Sequence, residues 1–221
     1  FWCKDVLLPS ELIYYDISTE PWVKWLSHPN IESYHIELNA SSAPENIAVL
    51  VDAISKNQST KKISIRNLGY KDLSTFFESI KNLKTLKELE INLKKNNHVD
   101  MSGLEEIKGI TSLTLHLNNN ENTINQSLKA IKNMNQLKRL DIKVALVDDQ
   151  TIPSIAEILN DLSLTYLSLN RNPFLDENVD ANGTIGNAIK NMTQLKEIDI
   201  GFYLGNTDAK HIATLLKNSS T

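Results

Sequence analysis

The chain has 221 residues, of which 41% are hydrophobic and 23% charged, with a formal net charge of −4. That balance supports a folded unit with a real core and excludes a disordered chain. Only Arg66, Arg139 and Arg171 among its 23 basic residues are arginine, which argues against a nucleic-acid reader; a lone cysteine, Cys3, excludes an internal disulfide framework or a cysteine metal cage; and no run of about 18 apolar residues spans a membrane.

Residues 1–30 come first and stand apart. They hold all three tryptophans (Trp2, Trp22 and Trp25), together with Tyr14, Tyr15, Pro9 and Pro21. They read as a helical N-terminal cap covering the end of whatever core follows. A chain that opens on Phe1 rather than Met reads as a fragment or a processed chain.

From residue 31 onward one pattern recurs, L-x-x-L-x-L. Its lines are Ile31 to Ile36, Thr60 to Ile65, Leu86 to Ile91, Ile110 to Leu115, Leu137 to Ile142, Leu164 to Leu169 and Leu195 to Ile200. The first positions are spaced by 29, 26, 24, 27, 27 and 31 residues. The long last interval holds Asn172-Pro173 and a polar run from Asp176 to Gly183, which reads as a loop insertion. Most intervals also carry apolar residues at helical spacing, such as Leu73, Phe76, Phe77 and Ile80, or Ile155, Ile158, Leu159 and Leu162. The third interval is short, and the segment from Leu104 to Ile107 predicts only a turn or two of helix. Three helix exits are near copies: Ile80-Lys-Asn-Leu83, Ile131-Lys-Asn-Met134 and Ile189-Lys-Asn-Met192.

These lines resemble the leucine-rich repeat family, in the strand-plus-α-helix type of ribonuclease-inhibitor-like horseshoes. The resemblance covers residues 31–221, about seven repeats. It implies an α/β fold: a right-handed solenoid with a parallel concave sheet and convex helices. The family's asparagine, eight residues after the first leucine, is matched by Asn39, Asn118 and Asn172 and missed at Leu68, Lys94, Ala145 and Tyr203. Leu8-Pro-Ser-Glu-Leu12 resembles the opening of an F-box, which would imply a ubiquitin-pathway partner, but it is too close to the first strand for that whole module.

Chemistry is sparse. The histidines His28, His35, His98, His116 and His211 form no H-x-x-x-H or H-E-x-x-H, so no metal is expected. No phosphate-binding glycine loop occurs, and no cofactor is expected. Cys3 has no base placed beside it by the sequence. Arg171 supports the alternative function: GTPase-activating proteins of the Ran type share the resembled fold, and an arginine after a strand can stabilise phosphoryl-transfer charge. Six N-x-[ST] sequons, at Asn39, Asn57, Asn125, Asn182, Asn191 and Asn218, follow from the abundance of asparagine.

Strand alternation assigns the outward side chains to three lateral rows. Row one is Ser33, Lys62, Glu88, Ser112, Arg139, Tyr166 and Glu197. Row two is His35, Ser64, Glu90, Thr114, Asp141, Ser168 and Asp199. Row three is Glu37, Arg66, Asn92, His116, Lys143, Asn170 and Gly201. The charge is mosaic, which suits a folded protein partner with mixed charges better than a polyanion or a strongly basic tail, either of which calls for one sign across the face; no membrane and no small-molecule substrate is expected. Expected partner-binding residues are Arg66, Glu88, Glu90, His116, Arg139, Asp141, Tyr166 and Tyr203, with Lys62 and Glu88 close enough for an ion pair. The expected function is non-enzymatic protein binding by a cytoplasmic monomer. Low arginine with high lysine and asparagine is what an AT-rich genome encodes, and points to a protist protein or a host-directed bacterial effector.

Overall fold

A computed structural model of the chain describes residues 11–14, 28–39, 44–68, 73–93, 98–117, 120–144, 151–171, 183–201 and 205–218. Among the described residues, eight strands form one sheet in chain order, every neighbouring pair parallel. They are β1 (Glu11–Tyr14), β2 (Ser33–Asn39), β3 (Lys62–Leu68), β4 (Glu88–Leu93), β5 (Ser112–Leu117), β6 (Arg139–Val144), β7 (Tyr166–Arg171) and β8 (Glu197–Gly201). The helices between them are α1 (Pro44–Lys56), α2 (Ser74–Ile80), α3 (Glu121–Lys132), α4 (Thr151–Leu159) and α5 (Thr184–Ile189), with α6 (Asn206–Asn218) after β8. The short third interval holds only a 3-10 turn, Leu104–Glu106, as its length predicts.

Each repeat strand starts two residues after the first position of its sequence line, so all seven lines lie side by side in register. The apolar positions form one continuous core: Ile63 and Ile65, Leu89 and Ile91, Leu113 and Leu115, Leu140 and Ile142 are all at most 1% exposed. Helix residues such as Phe76, Phe77, Leu128, Ile131, Ile155 and Ile189 belong to the same cluster. A parallel crossover is right-handed, so a sheet built in chain order places its helices on one face. The other face is left to the three polar rows.

A repeated backbone contact fixes the register. The carbonyls of Glu32, Lys61, Lys87, Thr111, Lys138 and Thr165 each accept from two consecutive N–H groups of the next repeat, at 2.7–3.2 Å. The three copied helix exits also fold alike. Leu83, Met134 and Met192 donate to Ile80, Ile131 and Ile189 at 2.9–3.0 Å, and Leu86, Leu137 and Leu195 then donate to Leu83, Met134 and Met192. The shared Ile-Lys-Asn-Leu/Met sequence thus encodes one turn that drops an apolar side chain into the core and aims the chain at the next strand.

The N-terminal segment differs from its reading as a helical cap. Glu11–Tyr14 is a strand, and Leu12 and Tyr14 pair in register with Tyr34 and Ile36. It therefore adds an eighth strand ahead of the seven repeat lines. Proline at position 9, where the pattern has an aliphatic residue, hides this line from a leucine search. The remainder of residues 1–27 lies outside the described residues, as does Cys3.

Side-chain bonds also tie neighbouring units together. Asn57, 1% exposed, donates through Nδ2 to the Ile31 carbonyl at 2.9 Å and to Tyr34 Oη at 2.6 Å, and its Oδ1 accepts from Ser59 N at 2.8 Å. Thr123 Oγ1 accepts from Val99 N at 3.0 Å and donates to the Val99 carbonyl at 3.2 Å. Asp208, fully buried in α6, accepts from Gly186 N at 2.6 Å and Gly183 N at 2.8 Å at the start of α5.

Candidate functional site

The register gives the three rows as read from the alternation. In row one, Lys62 faces Glu88, Glu88 faces Ser112, Ser112 faces Arg139, Arg139 faces Tyr166 and Tyr166 faces Glu197. Strands are about 4.8 Å apart, so these neighbours are in lateral reach. Glu88, Arg139, Lys143, Glu197 and Asp199 are exposed, while Glu90, Thr114, His116, Asp141 and Tyr166 are half-buried. No helix among the described residues covers them.

The central feature is a cation–π contact. The Arg139 guanidinium lies over the Tyr166 ring, 4.0 Å from its centre. An arginine held over an aromatic ring loses less freedom on binding than one free in water, which suits it to anchoring a partner.

Arg66 is engaged differently. It donates from Nη1 to Glu37 Oε1 in the same row at 2.5 Å, and the Glu37 side chain is only 12% exposed. This pair neutralises the N-terminal part of row three. Lys62 and Glu88 are register neighbours but form no ion pair; Lys61, one residue earlier, bonds Glu32 at 2.7 Å instead. Long side chains on an open surface choose among several partners at energies within about 1 kcal/mol, which sequence position alone does not rank.

Near the middle of the face, burial holds the His116 imidazole below its ordinary pKa of 6.5, with Lys143 adding to the effect, while Asp141 and Glu90 oppose it. His116 is therefore neutral at pH 7. Asp141 has a carboxylate oxygen shut away from water with no hydrogen-bond partner among the described residues. At the C-terminal end, Asn170 donates to Ser168 Oγ and to Asp199 Oδ2, both at 2.9 Å, and leans over Gly201. A Cβ at Gly201 would sit 1.9 Å from Asn170 Oδ1, so the row's only glycine makes room for that amide.

Of the remaining sequence candidates, Arg171 ends β7 and pairs in register with Val144, on the row of the buried Leu117 and Val144. Its side chain lies outside the described residues, as do Tyr203 and the side chains of Asn39, Asn118 and Asn172. Asn57 is enclosed and its amide is bonded, so its sequon offers no acceptor in the folded chain. Among the described residues, no three His, Cys, Asp or Glu side chains gather as for a metal ion, and no helix is long and apolar enough to cross a membrane. The sequence missed Asn57 and Asp208, because a lone Asn or Asp gives no spacing signal for a bond to a neighbouring unit.

No protein-family model matches the chain, and no curated protein matches it significantly.

Proposed function

We propose that the chain is a leucine-rich-repeat-like solenoid, curved as a horseshoe, whose open sheet face holds a protein partner without catalysing a reaction. One strand–helix unit cannot bury its own apolar face, and stacking units in register leaves a broad sheet as the natural docking surface. The observation that carries the reading is the Arg139 guanidinium over the Tyr166 ring, on β6 and β7 of that uncovered face. Arginine and tyrosine are the residue types that dominate binding energy at interfaces, and here each fixes the other's position. Binding of this kind acts by recruiting or sequestering the partner.

Affinity capture from eukaryotic lysate tests the proposal, with three forms of the chain as bait. Wild type and a helix-side variant, Glu106→Gln with Glu121→Gln, retain the same captured protein. Arg139→Glu with Tyr166→Ala loses it. Capture that survives the Arg139 and Tyr166 substitutions in a folded variant moves the partner off this face and ends the reading.

A further inference from the structure

Taken as a whole, the face is a mosaic of charge, and rows one and three each carry both signs; row two does not. Row two carries no lysine or arginine. Its register runs Ser64, Glu90, Thr114, Asp141, Ser168, Asp199 across β3 to β8. Carboxylates thus stand on β4, β6 and β8, and a short hydroxyl side chain stands on each strand between them. With strands about 4.8 Å apart, the carboxylates recur roughly every 9.6 Å along the row from strand to strand.

Of the cations in the flanking rows, Arg66 is paired with Glu37 and Arg139 lies over the Tyr166 ring, while Lys62 and Lys143 enter no ion pair among the described residues. Among the described residues, Glu90, Asp141 and Asp199 enter no ion pair. Asp199 accepts one bond, from Asn170, and Asp141 keeps a buried oxygen without a donor among those residues. An under-solvated carboxylate gains more from an approaching cation than one already in water. Between the carboxylates stand Thr114, half-buried, and Ser168, which is buried and accepts from Asn170.

We infer that row two takes an extended basic segment of the partner protein, laid across the strands, with a lysine or arginine at every third residue. The match is geometric. A polyproline-II chain has three residues per turn and rises about 3.1 Å per residue, so every third side chain points the same way about 9.3 Å further on. That repeat agrees with the carboxylate spacing, and such a segment needs no edge strand to pair with. The inference rests on the reading of the open face as the partner surface, and it specifies the part of the partner that crosses it.

Three peptides of equal length test the spacing against the intact chain by fluorescence anisotropy at low salt. They are capped (Lys-Pro-Pro)3, an isomer with its three lysines adjacent, and (Glu-Pro-Pro)3. The spaced basic peptide binds, the clustered isomer binds about fivefold more weakly, and the acidic peptide does not bind. Replacing Glu90→Gln, Asp141→Asn and Asp199→Asn together weakens the spaced peptide by about tenfold or more, while Glu106→Gln with Glu121→Gln leaves it unchanged. Equal binding of the two basic isomers overturns the inference, and that comparison uses only wild-type protein, so it survives a variant that fails to fold. Absence of peptide binding alongside a captured partner that needs Arg139 and Tyr166 also removes the basic segment, but leaves the open-face reading standing.

Discussion

Asp208→Ala tests how neighbouring units are joined. Gly183 has φ of +84° and caps α5 without a side chain of its own. The carboxylate of Asp208, from the next helix, supplies the missing acceptor, with both oxygens on backbone N–H groups at 2.6 and 2.8 Å. Alanine strands two buried donors. At about 1–3 kcal/mol for each, the loss is roughly 2–6 kcal/mol. Asn keeps one acceptor and turns its NH2 toward the other donor, so Asp208→Asn loses about half as much. Asp52 is the control. Its pair with Lys56 is more than 60% exposed on both sides, and Asp52→Ala costs about 0.3–0.5 kcal/mol. Units in a repeat array contact only their neighbours, so the effect falls on α5, α6 and β8 before it reaches the rest. Urea unfolding gives the total, and amide exchange at Gly183 and Gly186 gives the location. An Asp208→Ala protein as stable as Asp52→Ala, with both amides still protected, refutes the reasoning.

Asn57→Ala removes a buried amide bonded to Ile31, Tyr34 and Ser59, and lowers unfolding stability by about 2–4 kcal/mol in a denaturant titration; a loss under about 0.5 kcal/mol contradicts this role. Leu140→Ala in the middle of the sheet, at 0% exposure, costs about 3–5 kcal/mol, while Ile198→Ala on β8, only partly buried, costs about half of that; equal losses would contradict the open end of the core. His116 titrates below 6.5 by NMR, and Lys143→Met moves its midpoint upward. Because the folded pKa is the lower one, the unfolded chain binds the proton first, so this histidine costs stability as pH falls through 6.5 and nothing above it. A midpoint at or above 6.5 contradicts the burial assigned to it.

Much of the fold was legible because its apolar positions repeat. Seven strands begin where the lines predict, and the three rows follow from alternation alone. The short third interval also signalled its reduced helix, Leu104–Glu106. β1 was not legible, because Pro9 replaces the first aliphatic residue and only Leu12 and Tyr14 carry the pattern. In the candidate site, the neighbours Arg139 and Tyr166 were legible, but not their stacking. The Lys62–Glu88 pair was expected and the Arg66–Glu37 pair was not. Each of these depends on rotamer choices among near-equal partners, which backbone register does not settle. Asp208 and Asn57 act through bonds to adjacent units, with no residue-type pattern to mark them.

Hydroxyl-radical footprinting of the chain, free and bound to its captured partner, tests the central claim most directly. The open-face account predicts that His35, His116 and Tyr166 lose modification on binding while Val49 and Leu216, exposed among the helices, keep theirs. Protection of Val49 and Leu216, with Tyr166 and His116 still modified, contradicts it.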